Sequence, residues 1–310
     1  MENPEPTGGN TDLSEIVVTL VDANHLANCL AALAQQSTKA HFEVLVPADS
    51  KLGDIGMLQA DYPAVNFIRL DGSHTYAELR AIGANNATGR LLAVTEDHCL
   101  PDPDWVDNIV KEHDAPHLAI GGTVEKNAPD KALNWAVYFL DYLRYSPPAE
   151  SHETHELTDL NVSYKMNALQ KITDVWQAEF HEPSVHAALE QLGGSLWLSS
   201  NIRVHQRRNL TLGHALWDRY AFGRLFGSTR VAGLGLGKRL VYAALTPALP
   251  VLLVVRLTRH ILNKRSQKKE FILALPAILL LASAWACGEF VGYLTGTSVA
   301  ALQPRPEHGE

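Results

Sequence analysis

LRAIGANNATGRLLAVTEDHCLPDPDW, residues 79–105, is where the hydrophobic period of the chain changes and the fold is decided. Its start belongs to a helical pattern over 75–87 that sets Leu79, Ile82 and Gly83 on one side. Residues 91–95 (LLAVT) then read as a short apolar strand that ends on Glu96, Asp97 and His98. Upstream, 15–20 (EIVVTL), 42–47 (FEVLVP) and 65–70 (VNFIRL) read as strands too, with helical patterns at 24–36 and 53–61 between them. Strand alternating with helix at this spacing predicts an α/β fold with a doubly wound, mainly parallel sheet. Ligands of such sheets lie beyond the carboxyl ends of the strands, near the switch in strand order. The residues at those ends are Asp22 and Asn24, Asp49 and Ser50, Asp71, and the run Glu96-Asp97-His98.

At 310 residues the chain has room for one large domain or two medium ones, and 46% hydrophobic with 19% charged residues excludes disordered and collagenous classes. Three scattered cysteines with no Cys-x-x-Cys pair exclude a disulfide framework and a thiolate zinc site, so a reducing compartment is expected. The opening MENPEPTGGN is acidic and polar and lacks the charged-then-apolar layout of a secretory signal, so the first two hundred residues are expected in the cytoplasm.

The net charge of −8 hides a division: residues 1–202 hold 11 Lys/Arg against 29 Asp/Glu, whereas 203–269 hold 14 Lys/Arg against Asp218 alone. This basic block has no interleaved aromatic stacking pairs, so nucleic acid is not the expected partner. It brackets apolar runs instead, which points to anionic membrane lipid. Residues 241–255 (VYAALTPALPVLLVV) are uncharged but interrupted by Pro247 and Pro250, so 241–258 is expected to lie in the interface or re-enter it. Residues 271–288 give 18 uncharged positions, about the minimum for a ~30 Å hydrocarbon core, and 271–293 is the expected transmembrane segment. The linker RLTRHILNKRSQKK carries six Lys/Arg and belongs on the cytoplasmic side.

Two tempting motifs fail. GLGLGKR at 233–239 has Ala232 where a phosphate loop needs glycine and Arg239 where it needs Ser or Thr, so a flexible elbow is expected. HETHE at 152–156 spaces its histidines by three, not the four of a zinc-binding helix, and reads as a solvated loop. No G-x-G-x-x-G follows the first strand, so a dinucleotide site has no support.

Over residues 14–227 the chain resembles family 2 glycosyltransferases of the GT-A fold. EIVVTLVDANHLANCLAALAQQ looks like the family's first strand and helix, and FEVLVPADS like its nucleotide-binding strand, with Asp49 where the nucleobase is read. The stretch 79–105 looks like the family's Arg-x-x-Gly segment, here Arg80 and Gly83, followed by its metal-binding strand end. The family's Asp-x-Asp falls on Glu96-Asp97-His98, a departure that leaves three accounts: His98 binds the metal, as imidazole suits Mn2+ but Mg2+ poorly, Asp97 does so in its place, or basic side chains serve instead. A divalent cation would offset the charge that builds on the departing nucleoside diphosphate.

Further along, LTDLNVSYKMNAL at 157–169 looks like the acceptor-side segment, and 180–208 like the segment with an acidic catalytic residue at a helix start and a terminal His. The resemblance implies Glu182 as general base, with Glu179 the runner-up, and Pro183 suits a first helical turn. It implies donor contacts from Asp22, Asp49, Arg80, Glu96, Asp97, Gln206, Arg207 and Arg208, and a metal shell drawn from Glu96, Asp97, His98 and His205. QRRNL at 206–210 lacks the Arg-Trp of processive relatives, so a single transfer is expected. The domain reading is a disordered 1–13, a GT-A domain at 14–227, a basic connector with membrane segments at 228–296 and a flexible tail at 297–310. The implied function is a membrane-associated inverting enzyme on the cytoplasmic face that moves one sugar from a nucleoside-diphosphate sugar to a lipid-linked or cell-envelope glycan acceptor. The alternative is a binding or scaffold protein that kept the fold and lost turnover.

Overall fold

The computed structural model describes residues 11–127 and 129–298. In chain order the elements are β1 (Leu13–Val18), α1 (Ala23–Ala34), β2 (Phe42–Ala48), α2 (Gly56–Asp61), β3 (Asn66–Arg69), α3 (Tyr76–Asn86), β4 (Leu91–Glu96), β5 (Cys99–Pro101), α4 (Trp105–Glu112), β6 (Ala119–Glu125) and α5 (Ala132–Asp141). There follow β7 (His152–Thr154), β8 (Val162–Lys165), α6 (Met166–Leu169), α7 (Thr173–Trp176), α8 (Glu182–Gln191) and β9 (Leu196–Gln206). Last come α9 (Leu212–Arg230), α10 (Leu236–Leu245), α11 (Leu249–Lys264) and α12 (Lys268–Thr295).

The contacts divide the chain into two compact units: one holds the chain up to Lys126 with Tyr145–Arg207, the other Asn127–Arg144 with the chain from Arg208 onward. This differs from the single span expected at 14–227, because α5 and most of α9 fall in the second unit. Of the segment expected to be disordered, residues 1–10 lie outside the described residues, while the Asp12 N–H donates to the His41 carbonyl at 2.7 Å and Leu13 opens β1. Of the tail expected at 297–310, everything from 299 on lies outside them.

The first unit is built on a sheet of order β3-β2-β1-β4-β8-β6-β9-β5, with β7 on the edge of β9. β1, β2, β3 and β4 pair in parallel, as the alternating pattern predicts. Antiparallel β8 then separates β4 from β6, an insertion the alternation does not indicate. All six residues of β1 and of β4 are buried, which is why both are mainly apolar, Ile16–Val18 and Leu91–Val94, rather than alternating. The helices start where their caps say they should. The Asp22 carboxylate accepts from the His25 N–H at 2.8 Å, and Thr75 and Glu78 form a reciprocal capping box on α3. HETHE is not a loop: His152, Glu153 and Thr154 pair with Leu198, Trp197 and Leu196 as a short edge strand.

A bulge between Gly122 and Thr123 resets the β6–β9 register. A Cβ on Gly122 would stand 2.0 Å from the Ile202 carbonyl oxygen and 2.2 Å from Asn161 Nδ2, so only glycine fits there. Asn161 fills the bulge. Its amide donates to the carbonyls of Thr123 and Ile202 at 3.0 and 3.1 Å, and its Oδ1 accepts from Trp105 Nε1 at 2.9 Å. That fully satisfied amide fixes the start of β8, and with it the loop carrying Asp159.

The second unit is helical. α9 and α12 meet through Gly223 and Gly227 on one and Gly288 and Gly292 on the other. A Cβ on Gly288 would lie 2.1 Å from the Tyr220 carbonyl oxygen, and one on Gly223 2.3 Å from that of Trp285. Small residues four apart on both helices allow this backbone-to-backbone approach. The GLGLGKR run supplies an elbow, with Gly233 at φ +76°, and its Arg239 donates to the last carbonyls of α12, Tyr293 at 2.8 Å and Leu294 at 2.7 Å. A single 3-10 turn at Thr246–Ala248, bearing Pro247, separates α10 from α11, and Pro250 sits in the first turn of α11 where a missing N–H costs nothing.

One buried group in the first unit opposes folding. Glu15, in the middle of β1, has no exposed surface and both carboxylate oxygens lack a hydrogen bond, so burial raises its pKa well above the ordinary value. A raised carboxyl contributes stability that is full below the unfolded value near 4.5 and is lost as pH rises toward the folded value. Glu15→Leu should therefore raise the free energy of unfolding at pH 8 by about 1–3 kcal/mol and flatten its decline above pH 5, as read by denaturant titration across pH.

Candidate active site

The carboxyl ends of β1, β2 and β4 carry the acidic residues that strand topology nominated. At their centre is a buried guanidinium. Arg80, on α3, reaches Glu96 at the end of β4 with Nη2–Oε1 at 3.0 Å, Asp159 before β8 with Nη2–Oδ2 at 2.9 Å, and Glu182 at the start of α8 with Nε–Oε1 at 2.9 Å. Three carboxylates far apart in sequence thus converge on one cation. Burial works against the charge on Arg80, but Asp159, Glu182 and Glu96 outweigh it and hold its pKa above the ordinary value.

Glu182 is 8% exposed, and burial pushes its carboxyl up to about 7 against the pull of Arg80 and with the push of Asp159. Its contact with Arg80 Nε is ionic but off-line, so neither Oε1 nor Nε has an aligned hydrogen bond. The runner-up Glu179 is exposed and pairs with His181 at 3.0 Å, outside the cluster. Asp159, at 37% side-chain exposure, is the most open of the three acids. Sequence reasoning missed it; the available signal was a lone acid in the small polar run ahead of β8.

The other nominated residues divide. Asp22 caps α1 and stays partly open, holding His25 Nδ1 at 2.9 Å. Asp49 is buried, with Oδ1 accepting from the Lys51 N–H and Oδ2 from the His74 N–H, both at 2.9 Å, so it ties the loop after β2 to the turn before α3. Asp97 points inward: it has no exposed surface, and its Oδ2 accepts from the Val21 N–H at 2.8 Å, anchoring the loop after β1 rather than facing a donor. The His98 ring is buried between Glu96 and Asp97, its Nδ1 at 3.5 and 3.6 Å from their oxygens. His205 joins a different set, with Nε2 at 2.7 Å from Asp102 and Nδ1 at 3.8 Å from Glu125. Gln206, on the last turn of β9's ladder, accepts from the buried Lys126 at 3.4 Å. Arg207 is exposed, and its backbone N–H donates to the His98 carbonyl at 2.7 Å. Arg208 belongs to the second unit, where its charge acts on Asp218.

Of the four nominated metal ligands, Glu96, Asp97 and His98 lie together, whereas His205 stands with Asp102 and Glu125. Glu96 is engaged by Arg80, Asp97 by a backbone N–H and His205 by Asp102, and among the described residues no three His, Cys, Asp or Glu side chains are placed to hold a metal ion. The chemistry the cluster can perform is proton removal by a carboxylate poised near neutrality, beside fixed positive charge from Arg80.

Comparison with known proteins gives two findings. The profile of the family described as Glycosyl transferase family 2 matches residues 14–173. Among solved structures, a crystal structure of S. aureus TarS 1-349 superposes with a TM-score of 0.46 at 14% identity, covering 92% of this chain and 90% of that one. At that distance it bears on neither activity nor substrate. No curated protein matches.

Arg80 is the group on which this geometry depends. Arg80→Met leaves Glu96 and Glu182 buried without a counter-charge and should cost about 3–5 kcal/mol in denaturant unfolding at pH 8. The loss should shrink toward pH 5, where protonation removes the uncompensated charge.

Proposed function

Because the chain belongs to glycosyl transferase family 2, we propose that its first unit moves a single sugar from a nucleoside-diphosphate donor to an acceptor hydroxyl with inversion, using Glu182 as the base. The observation that carries this reading is the convergence of Glu96, Asp159 and Glu182 on Arg80 at the carboxyl edge of the sheet. In the step, the acceptor O–H gives its proton to the Glu182 carboxylate while its oxygen forms the bond to C1. The bond from C1 to the phosphate oxygen breaks on the opposite face, and the nucleoside diphosphate leaves with the electron pair. A base works best with its pKa near the working pH, and burial supplies that condition at Glu182. Arg80 and Asp159 set this value in opposite directions, and Lys126 and Arg207 supply positive charge for the phosphates. Asp22, Asp49 and Gln206 form the remaining donor contacts.

The same reading sets the second unit on a membrane with the catalytic unit on the cytoplasmic side, and takes the acceptor to be lipid-linked or a cell-envelope glycan. Two facts support it. Leu236–Lys264 and Lys268–Thr295 are long and apolar enough to cross a membrane, each holding an 18-residue stretch, of mean hydropathy 2.0 and 2.1 respectively. Leu236, Leu240, Val241, Leu245, Val251 and Leu252 are all more than half exposed in this unit, and basic residues flank them.

The second reading, a nucleotide-sugar-binding scaffold, is favoured by the enclosure of His98 and the structural use of Asp97. Labelled nucleotide sugars separate the two. Wild-type protein should turn the donor over, and Glu182→Gln should lower kcat by about 10²–10⁴-fold while nucleoside diphosphates still raise the melting temperature. Melting shifts without turnover in the wild type would establish the scaffold. The rate should also rise with pH through a limb near pH 7. Asp159→Asn should move that limb to lower pH, because the Asp159 charge is one of the forces that raise Glu182.

A further inference from the structure

Tyr164 of β8 grips the chain on both sides of Glu182. Its ring meets that of Phe180, two residues before Glu182, edge-on at 5.5 Å between centroids. Its hydroxyl shares a hydrogen bond of 3.0 Å with Nε2 of His186, four residues after Glu182 and so on the same face of α8. All four side chains are buried. Phe180 is fixed in turn: its backbone N–H donates to the Ala77 carbonyl of α3 at 2.9 Å, three residues ahead of Arg80, and its ring lies 5.8 Å from that of Trp176.

The inner face of α8 consists of Glu182, Val185, His186 and Leu189, the stripe of a helix laid on a core. Apolar residues are the default at such positions, and a Tyr–His pair adds little stability over them. Replacing both members of a buried hydrogen bond by apolar groups of the same shape is nearly neutral. What the pair adds is direction: a satisfied buried hydrogen bond admits one arrangement of helix and strand, whereas apolar packing tolerates several. Burial pushes the His186 ring down to about 4, against the charges of Glu190 and Asp159, so it stays neutral near pH 7 and sets no further cation beside the base. Glu190 is itself engaged by His155 at 2.6 Å. We infer that Tyr164 and His186 are positioning residues for Glu182, holding the first turn of α8 on β8 where the carboxylate meets Arg80 and stays inside the cluster. This role rests on the base function of Glu182 and deepens it; neither residue touches the reacting atoms.

A double-mutant cycle in the full chain tests the pair, with Tyr164→Phe and His186→Leu assayed on labelled UDP-glucose and UDP-N-acetylglucosamine with water as acceptor. Each change should lower kcat about tenfold at unchanged KM for the donor, as expected when one partner of a buried hydrogen bond is lost. The double variant should be no slower than the worse single one, because either change breaks the same bond. His186→Gln, whose side-chain amide reaches the place of Nε2, should restore most of the rate. A pair that only packs the core would move the melting temperature and leave kcat per folded molecule alone. Glu182→Gln, run alongside, tells the two failures apart. A rate retained there removes the base and the purpose of the pair with it, whereas a rate lost there but kept in Tyr164→Phe and His186→Leu removes the pair alone. Hydrogen exchange needs no turnover: peptides covering residues 181–186 should exchange about tenfold faster in both single variants, with those of β1 and β4 unchanged. Unchanged exchange over 181–186, losses that multiply in the double variant, or no return of rate in His186→Gln would overturn the assignment.

Discussion

A guanidinium removed from water has to be met by carboxylates, and in this chain that demand is satisfied by three of them from three separate elements. Arg80 projects from α3; its partners arrive from the tip of β4, from the loop ahead of β8 and from the first turn of α8. Because each partner holds the cation, each is also held by it, and the acids acquire different characters from their surroundings. Glu96 is committed and enclosed, Asp159 is partly in water, and Glu182 is enclosed with an oxygen to spare. Around that one cation, the deep burial of Glu182 wins over the pull of Arg80 and pushes its carboxyl up to about 7.

The second unit solves a different problem with different means. Its long helices are apolar over most of their surface, so side-chain burial alone does not choose a packing face. Glycines four apart on α9 and α12 choose it by letting main chains touch, and Arg239 closes the end of α12 by capping its final carbonyls. The shape of the unit follows from where side chains are missing as much as from where they are.

The parallel half of the sheet was legible because β1, β2 and β4 are buried on both faces and read as short apolar runs between helical patterns. Antiparallel β8 was not, since VSYK is too short and too mixed to announce a direction. Gly122 and Asn161 were invisible for a related reason: a bulge is defined by what stands opposite, and no local pattern carries that. For the site, position after a strand nominated Glu96, Asp49 and Asp22, and the family resemblance nominated Glu182. Position did not tell which acids face inward: Asp97 sits between two nominated ligands in sequence, yet its carboxylate turns back to the loop after β1. Asp159 escaped notice because its importance comes entirely from Arg80, seventy-nine residues away. The glycine spacing of α9 and α12 was in plain view and went unread, because the hydropathy of one helix gives no reason to match it with another.

Asp49 shows how a single side chain can join two parts of a rim. Its two oxygens clasp main-chain N–H groups at Lys51 and His74, so the loop after β2 and the turn before α3 are stitched into one flap. Ser50 and Lys51 add further stitches, to the carbonyls of Gly72 and His74, so the two borders are joined at several points.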